Sequence, residues 1–248
     1  MASTSKHTRE ELLYLARLAE QCERYDEMVE YASDFAKAGS EELNLEERNI
    51  LSVAFKNVVG TRRAAWRVLS SIEKKENNKG NAQNVDKVKY YKRQIEEELT
   101  RICQDILALL EQHLIPKTHS EEAQVFFFKM KGDYYRYIAE YAVADKRNAA
   151  AQKALSAYGD AHEASQKSLA STHPVKLGLA LNYSVFYYEI MQNPEKACKM
   201  ARDAFDEAIA DLDNVQDEFY KDATLIMQLL RDNLTLWTSE LPEEAGAQ

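Results

Sequence analysis

Glycine and proline are scarce in this sequence, seven and four among 248 residues. Turn-rich β-sandwiches and barrels use more of both, so an all-β architecture is disfavoured from the outset. Long apolar runs are missing as well. Ala223 to Leu230 is among the longest and falls far short of the ~18 residues that a membrane helix needs. No apolar leader with a cleavage site opens the chain, so we expect a mature protein that begins near Met1 and stays inside the cell. Cysteine is limited to Cys22, Cys103 and Cys198, far apart and without a CxxC spacing; buried free thiols in a reducing compartment are the expectation. An excess of positive charge is lacking too. A net charge of -9 argues against a general nucleic-acid-binding surface.

Motifs of catalysis are equally thin. His7, His113, His119, His162 and His173 form neither HExxH nor His-x-His and have no cysteine partners, so no metal site is expected. GxSxG, GxGxxG and a phosphate-binding Walker loop are all absent. The many carboxylates read as solvated helix faces or i, i+4 ion pairs, and no enzyme or cofactor is expected. The chain reads as a binding protein.

What is present is helical pattern: 45% apolar and 29% charged residues with regular punctuation. Thr8 to Glu11 and Asn44 to Glu47 fit the capping box, Pro174 and Pro194 occupy first helical positions, Asn193 caps the latter, and Pro116 closes a helical run. The reading is all-α, with helices at roughly 9–21, 25–38, 45–75, 84–113, 120–143, 147–168, 174–191, 194–211 and 217–239. In the third, Leu51, Ala54, Phe55, Val58, Ala65, Leu69 and Ile72 form one apolar stripe. Lys74 to Asn81 is expected to be a polar loop, and Glu240 to Gln248 a short mobile tail. The helix around Thr224 to Trp237 is apolar nearly all round, which predicts burial.

Two files of cations stand out on this acidic chain. Lys129 and Arg136 are seven residues apart, within about 20° of one helix face and roughly 10 Å along it. Lys56, Arg63 and Arg67 repeat the spacing on the third helix, again within about 20° of one line. Side by side, two such helices can make a basic pocket for a localised anion. The same spacings fit a plain surface ladder, Lys129–Asp133, Asp133–Arg136 and Arg136–Glu140, worth about 0.2–0.5 kcal/mol a pair. Leu181, Val185, Leu225 and Leu229 likewise fit ordinary core positions. Asn182, on a mixed face with Gly178, Val185 and Glu189, needs partners if it is buried.

Five segments resemble the 14-3-3 family: Leu18 to Glu30, Arg48 to Arg67, Phe128 to Glu140, Leu177 to Ile190 and Thr224 to Trp237, in the family's order. The resemblance implies an all-α fold of nine antiparallel helices with a concave groove, dimeric through its N-terminal helices. Residues 1–240 would be one domain, with 9–113 for dimerisation and groove floor, 120–239 for the groove wall, and 241–248 as tail. It implies a non-catalytic adaptor that binds phosphoserine or phosphothreonine segments of client proteins in signalling, in the cytoplasm with the nucleus as a second compartment. By resemblance Lys56, Arg63, Arg136 and Tyr137 bind the phosphate. Lys129, Asn182, Asn233, Gly178, Leu181, Val185, Glu189, Leu225, Ile226, Leu229 and Trp237 contact the peptide.

The resemblance also implies an interface of Leu18, Cys22, Leu69, Ile72 and Tyr91, with Arg24 and Glu98 pairing across it, in a homodimer or a heterodimer with a paralogue. Two departures are visible. Gln94 stands where a lysine is common opposite Glu27, which weakens a rim pair by at most about 1 kcal/mol. Ala65 stands where many members carry a serine whose phosphorylation splits the dimer, so that switch is expected to be missing. Partners in the resemblance are phosphorylated proteins, with no nucleic acid and no membrane span. The rival reading is a helical scaffold for unmodified peptides.

Overall fold

Helix boundaries follow local chemistry closely. The computed structural model describes residues 7–39 and 41–240, which hold nine α-helices and no strand. These are α1 Arg9–Gln21, α2 Tyr25–Lys37, α3 Leu45–Asn78, α4 Ala82–Leu109, α5 Glu121–Tyr141, α6 Ala144–Ser168, α7 Pro174–Glu189, α8 Pro194–Ala210 and α9 Asp217–Glu240. Both capping boxes form, at Thr8 with Glu11 and at Asn44 with Glu47. Pro174 and Pro194 take the first turns of α7 and α8, and the Asn193 side chain accepts from Lys196 N at 3.0 Å. After α4 the helix widens into a π turn at Leu110–Leu114 and tightens into a 3₁₀ turn at Ile115–Lys117, where Pro116 lacks the N–H that would extend it. Among the described residues no helix is long and apolar enough to cross a membrane.

Three sequence expectations need correction. The polar stretch from Lys74 continues as helix to Asn78, and the turn shrinks to Lys79–Asn81. A Schellman closure explains this: Gly80 sits at φ 73°, its N–H meets Asn77 O at 3.0 Å, and Asn81 N–H meets Glu76 O at 3.1 Å. The Glu76 carboxylate accepts from Lys79, Asn81 and Asn84, which pulls its pKa down to about 2. Composition pointed to a loop, but the hydrogen bonds close a helix end. Secondly, Cys22 is exposed; only Cys103 and Cys198 are the buried thiols expected. Thirdly, α9 is not buried all round, since Leu225, Leu229 and Leu236 are 60, 43 and 55% exposed. Glu240 closes α9, and residues 241–248, read as tail, lie outside the described residues.

The chain divides into two compact units, residues 1–118 and 119–248. In the first, α1 pairs with α2 and α3 with α4, burying Leu12, Met28, Phe35, Leu51, Phe55, Leu99 and Ile106. Arg9 ties the start of α1 to the start of α3 with two bonds to Glu47, 2.6 and 2.5 Å. That buried carboxylate also accepts from Asn44 N, so neither charge is left unpaired. The stripe on α3 is buried at Leu51, Ala54, Phe55, Val58 and Leu69, while Ile72 and neighbouring Val68 emerge. In the second unit, α5 lies along α6, and α7 packs on α5, α6, α8 and α9. Its core holds an aromatic cluster: Tyr158 stacks on Tyr183 at 5.0 Å, and Tyr183 on Tyr187 at 4.9 Å.

Candidate functional site

The α5 cation file proves to be more than surface decoration. All three ladder pairs form: Lys129 Nζ to Asp133 at 2.9 Å, Arg136 to Asp133 at 3.4 Å and Arg136 to Glu140 at 3.5 Å. Yet Asp133 and Arg136 are only 6 and 5% exposed, which no solvated ladder needs. Two other helices reach the same carboxylate. Asn182 on α7 donates its amide to both Asp133 oxygens at 2.9 and 3.0 Å. Tyr158 on α6 donates its hydroxyl to Asp133 Oδ1 at 2.5 Å and accepts from Arg136 Nε at 3.0 Å. A buried charge pair of this kind keeps its ionisation only when further hydrogen bonds complete it, and here they do.

The electrostatics agree with the geometry. Burial alone pushes the Asp133 carboxyl up, but the charges of Lys129 and Arg136 and the Tyr158 hydroxyl outweigh it and hold it below its ordinary value. Burial also opposes the Arg136 charge, while the facing Tyr158, Tyr137 and Asp133 raise its pKa well above the ordinary arginine value. Burial likewise drives the Tyr158 hydroxyl well up, so it stays protonated. The Arg136 guanidinium lies over the Tyr137 ring, 4.7 Å from its centroid. Chemically this is a fixed, permanently charged donor beside a second cation, Lys129. Such an arrangement can receive an oxyanion.

Around it, the structure places the other α7 and α9 residues as follows. A Cβ built on Gly178 would lie 3.6 Å from the Lys129 stem, so α7 borders the cation file directly. Leu181 and Val185 on α7 and Ile226 on α9 pack partly buried against the unit's core, whereas Leu225 and Leu229 are exposed. Asn233 is half-buried and Glu189 exposed. Trp237 is buried at 4% and stacked on Tyr188 at 4.7 Å, so what it offers is packing rather than open surface. In sequence Asp133 is only a rung of a ladder, and Tyr158 carries no signal of its own. No local spacing marks a tyrosine 22 residues from its arginine.

In the first unit Lys56 and Arg67 are exposed on α3 and Arg63 half-buried, clear of the buried stripe as expected. Arg62 beside them is held within the unit, by Asp26 at 2.9 Å and Glu98 at 3.1 Å. Of the residues read as interface, Leu18, Ile72 and Tyr91 are 38, 38 and 54% exposed, with Tyr14 and Tyr90 also open, while Leu69 is buried. Arg24 pairs with Glu27 of its own chain, and Glu98 with Arg62, so a pair across an interface means an exchange of partners. Gln94 donates to the Tyr90 hydroxyl at 3.2 Å, and Ala65 is half-buried.

Comparison with known proteins bears on the whole chain. The profile of the 14-3-3 protein family matches residues 15–238. The 14-3-3-like protein GF14 iota of Arabidopsis thaliana is 59% identical over 245 residues, covering 99% of this chain and 91% of its own length. The 14-3-3 protein 7 of Solanum lycopersicum is 59% identical over 238 residues, covering 96 and 94% of the two chains. The checkpoint signal transducer rad24 of Schizosaccharomyces pombe is 58% identical over 247 residues, covering 100 and 90%. With the family pattern matched nearly end to end and relatives alike at well over half their positions, the chain belongs to the 14-3-3 family of non-catalytic adaptor proteins that act in signalling.

Proposed function

We propose that this adaptor recognises phosphoserine- or phosphothreonine-containing segments of client proteins. Lys56 and Arg63 of α3, with Arg136 and Tyr137 of α5, are the residues that receive the phosphate. A phosphate monoester carries about -1.5 to -2 charge at pH 7 and three acceptor oxygens. Arg63 and Arg136 offer planar forks to those oxygens, Lys56 a point charge and Tyr137 a hydroxyl. The observation that supports this most is the buried, permanently charged Arg136 beside Tyr137 and Lys129, in a chain whose net charge is -9. An acidic protein that keeps such a centre on its α5 favours one localised anion over a general polyanion.

The client backbone is read by Asn182 and Asn233, and its apolar side chains by Gly178, Leu181, Val185, Leu225, Ile226 and Leu229, with Lys129, Glu189 and Trp237 beside them. With its amide donors held by Asp133, Asn182 turns its carbonyl oxygen to the ligand and accepts a backbone N–H. Backbone reading tolerates many sequences, so clients of different sequence share the site. The protein acts as a dimer, through Leu18, Cys22, Leu69, Ile72 and Tyr91, and without the serine switch that Ala65 replaces. It works in the cytoplasm and the nucleus. Two sites on one dimer let a doubly phosphorylated client bind about 10²–10⁴ more tightly than a single site allows.

The test is a fluorescence titration with a phosphoserine peptide and its unphosphorylated twin. Wild type binds only the former, and Lys56→Glu or Arg63→Ala abolishes binding with the helical far-UV spectrum intact. Unchanged affinity in either variant refutes the assignment. Clients captured from lysate are released by phosphatase; capture that survives phosphatase supports the scaffold for unmodified peptides instead.

A further inference from the structure

Tyr158 lies on α6 and is not among the residues assigned above to the ligand, yet it bonds one of them, Arg136. Resting on the phosphate reading of Arg136, we infer that Tyr158 is a positioning residue whose hydroxyl sets the plane of the Arg136 guanidinium for a phosphate monoester. The direction of each bond is forced. Arginine has no acceptor, so Nε donates to the phenol oxygen at 3.0 Å, and the phenol proton goes to Asp133 at 2.5 Å. Nε is the atom that orients the whole planar fork. The two terminal nitrogens are held only at the long end of hydrogen-bonding distance, Nη2 by Asp133 at 3.4 Å and Nη1 by Glu140 at 3.5 Å. The donors that a phosphate must recruit are therefore weakly engaged, and the one that fixes their geometry is firmly engaged.

The tyrosine is itself immobilised. Its side chain has no exposed surface, stacks on Tyr183 at 5.0 Å with planes 22° apart, and meets Phe186 at 5.5 Å. Its ring lies so close to α5 that a Cβ at Gly132 would come within 2.7 Å of it. Glycine at position 132 is thus the opening through which α6 reaches Arg136. Burial keeps the hydroxyl protonated, so it supplies the Asp133 bond at any working pH.

The test uses the full chain and a fluorescein-labelled peptide with one phosphoserine, read by anisotropy. Tyr158→Phe is expected to weaken binding roughly tenfold, the scale of one hydrogen bond to a charged group, with helix content unchanged. In an Arg136→Lys background the same change is expected to add less than about twofold, because an ammonium has no plane to set. Gly132→Ala displaces the ring while keeping the hydroxyl, and gives the same background-dependent loss if Tyr158→Phe fails to fold. Equal weakening of both backgrounds marks Tyr158 as merely structural and overturns the inference, as does wild-type affinity in Tyr158→Phe. Wild type that ignores the phosphopeptide, or Lys56→Glu that still binds it, removes the phosphate reading itself; loss with Lys56→Glu alone removes only the positioning role.

Discussion

Replacing Asp133 by asparagine removes one charge from a place where five contacts converge. The carboxylate takes Lys129 at 2.9 Å, Tyr158 at 2.5 Å, Asn182 at 2.9 and 3.0 Å and Arg136 at 3.4 Å. Asparagine retains one acceptor oxygen, and its amide group faces donors that it cannot accept. Arg136, 5% exposed, loses its buried counter-ion. Breaking a buried pair from one side costs about 3–5 kcal/mol, a large share of the roughly 5–15 kcal/mol that holds a typical domain folded. Urea unfolding followed by circular dichroism at pH 7 and one fixed protein concentration measures it. The pH dependence has a definite sign. The Asp133 carboxyl is depressed in the fold, so its contribution is whole above the unfolded value of about 3.9 and is lost as pH falls through the lower folded value. The gap between wild type and variant should therefore hold steady from pH 8 to about 5 and narrow only below about 4. A gap within about 0.5 kcal/mol at pH 7, as for an ordinary surface substitution, or one that widens on acidification, refutes the buried network.

Two further outcomes are expected. The interface proposed through Leu18, Ile72 and Tyr91, all exposed in the single chain, predicts that wild type has twice the 28.4 kDa chain mass in light scattering and that Leu18→Glu with Ile72→Glu halves it; a wild-type monomer defeats the interface. Gly80 at φ 73° and Gly159 inside α6, neither with any atom near a built Cβ, should respond oppositely to alanine. Gly80→Ala costs about 1–2 kcal/mol through the left-handed backbone, and Gly159→Ala adds about 0.5–1 kcal/mol, both read from urea midpoints; the same sign for both contradicts the argument.

The helices were legible because their signals are local. A capping box spans four residues, a proline at a first turn spans one, and the apolar stripe of α3 repeats within two turns, so α1, α3, α7 and α8 begin where the sequence places them. Lys74 to Asn78 was misleading for the complementary reason. Its polar composition resembles a loop, but Gly80 and the Glu76 carboxylate close a helix end that composition does not report. The exposure of Leu225 and Leu229 also lay outside what one helix can declare, since apolar periodicity is the same for a core face and an open one.

For the site, sequence by itself determined the inventory: two files of cations on separate helices, an asparagine needing partners, and no catalytic or metal-binding motif. Tertiary structure alone decided what the inventory does on α5. Whether Asp133 is a rung on a wet surface or the centre of a buried network depends on Tyr158 and Asn182 arriving from α6 and α7, 25 and 49 residues along the chain. Side-chain spacing encodes neighbours one helical turn away, while the desolvation that makes a charge pair strong comes from chain segments that only folding brings near.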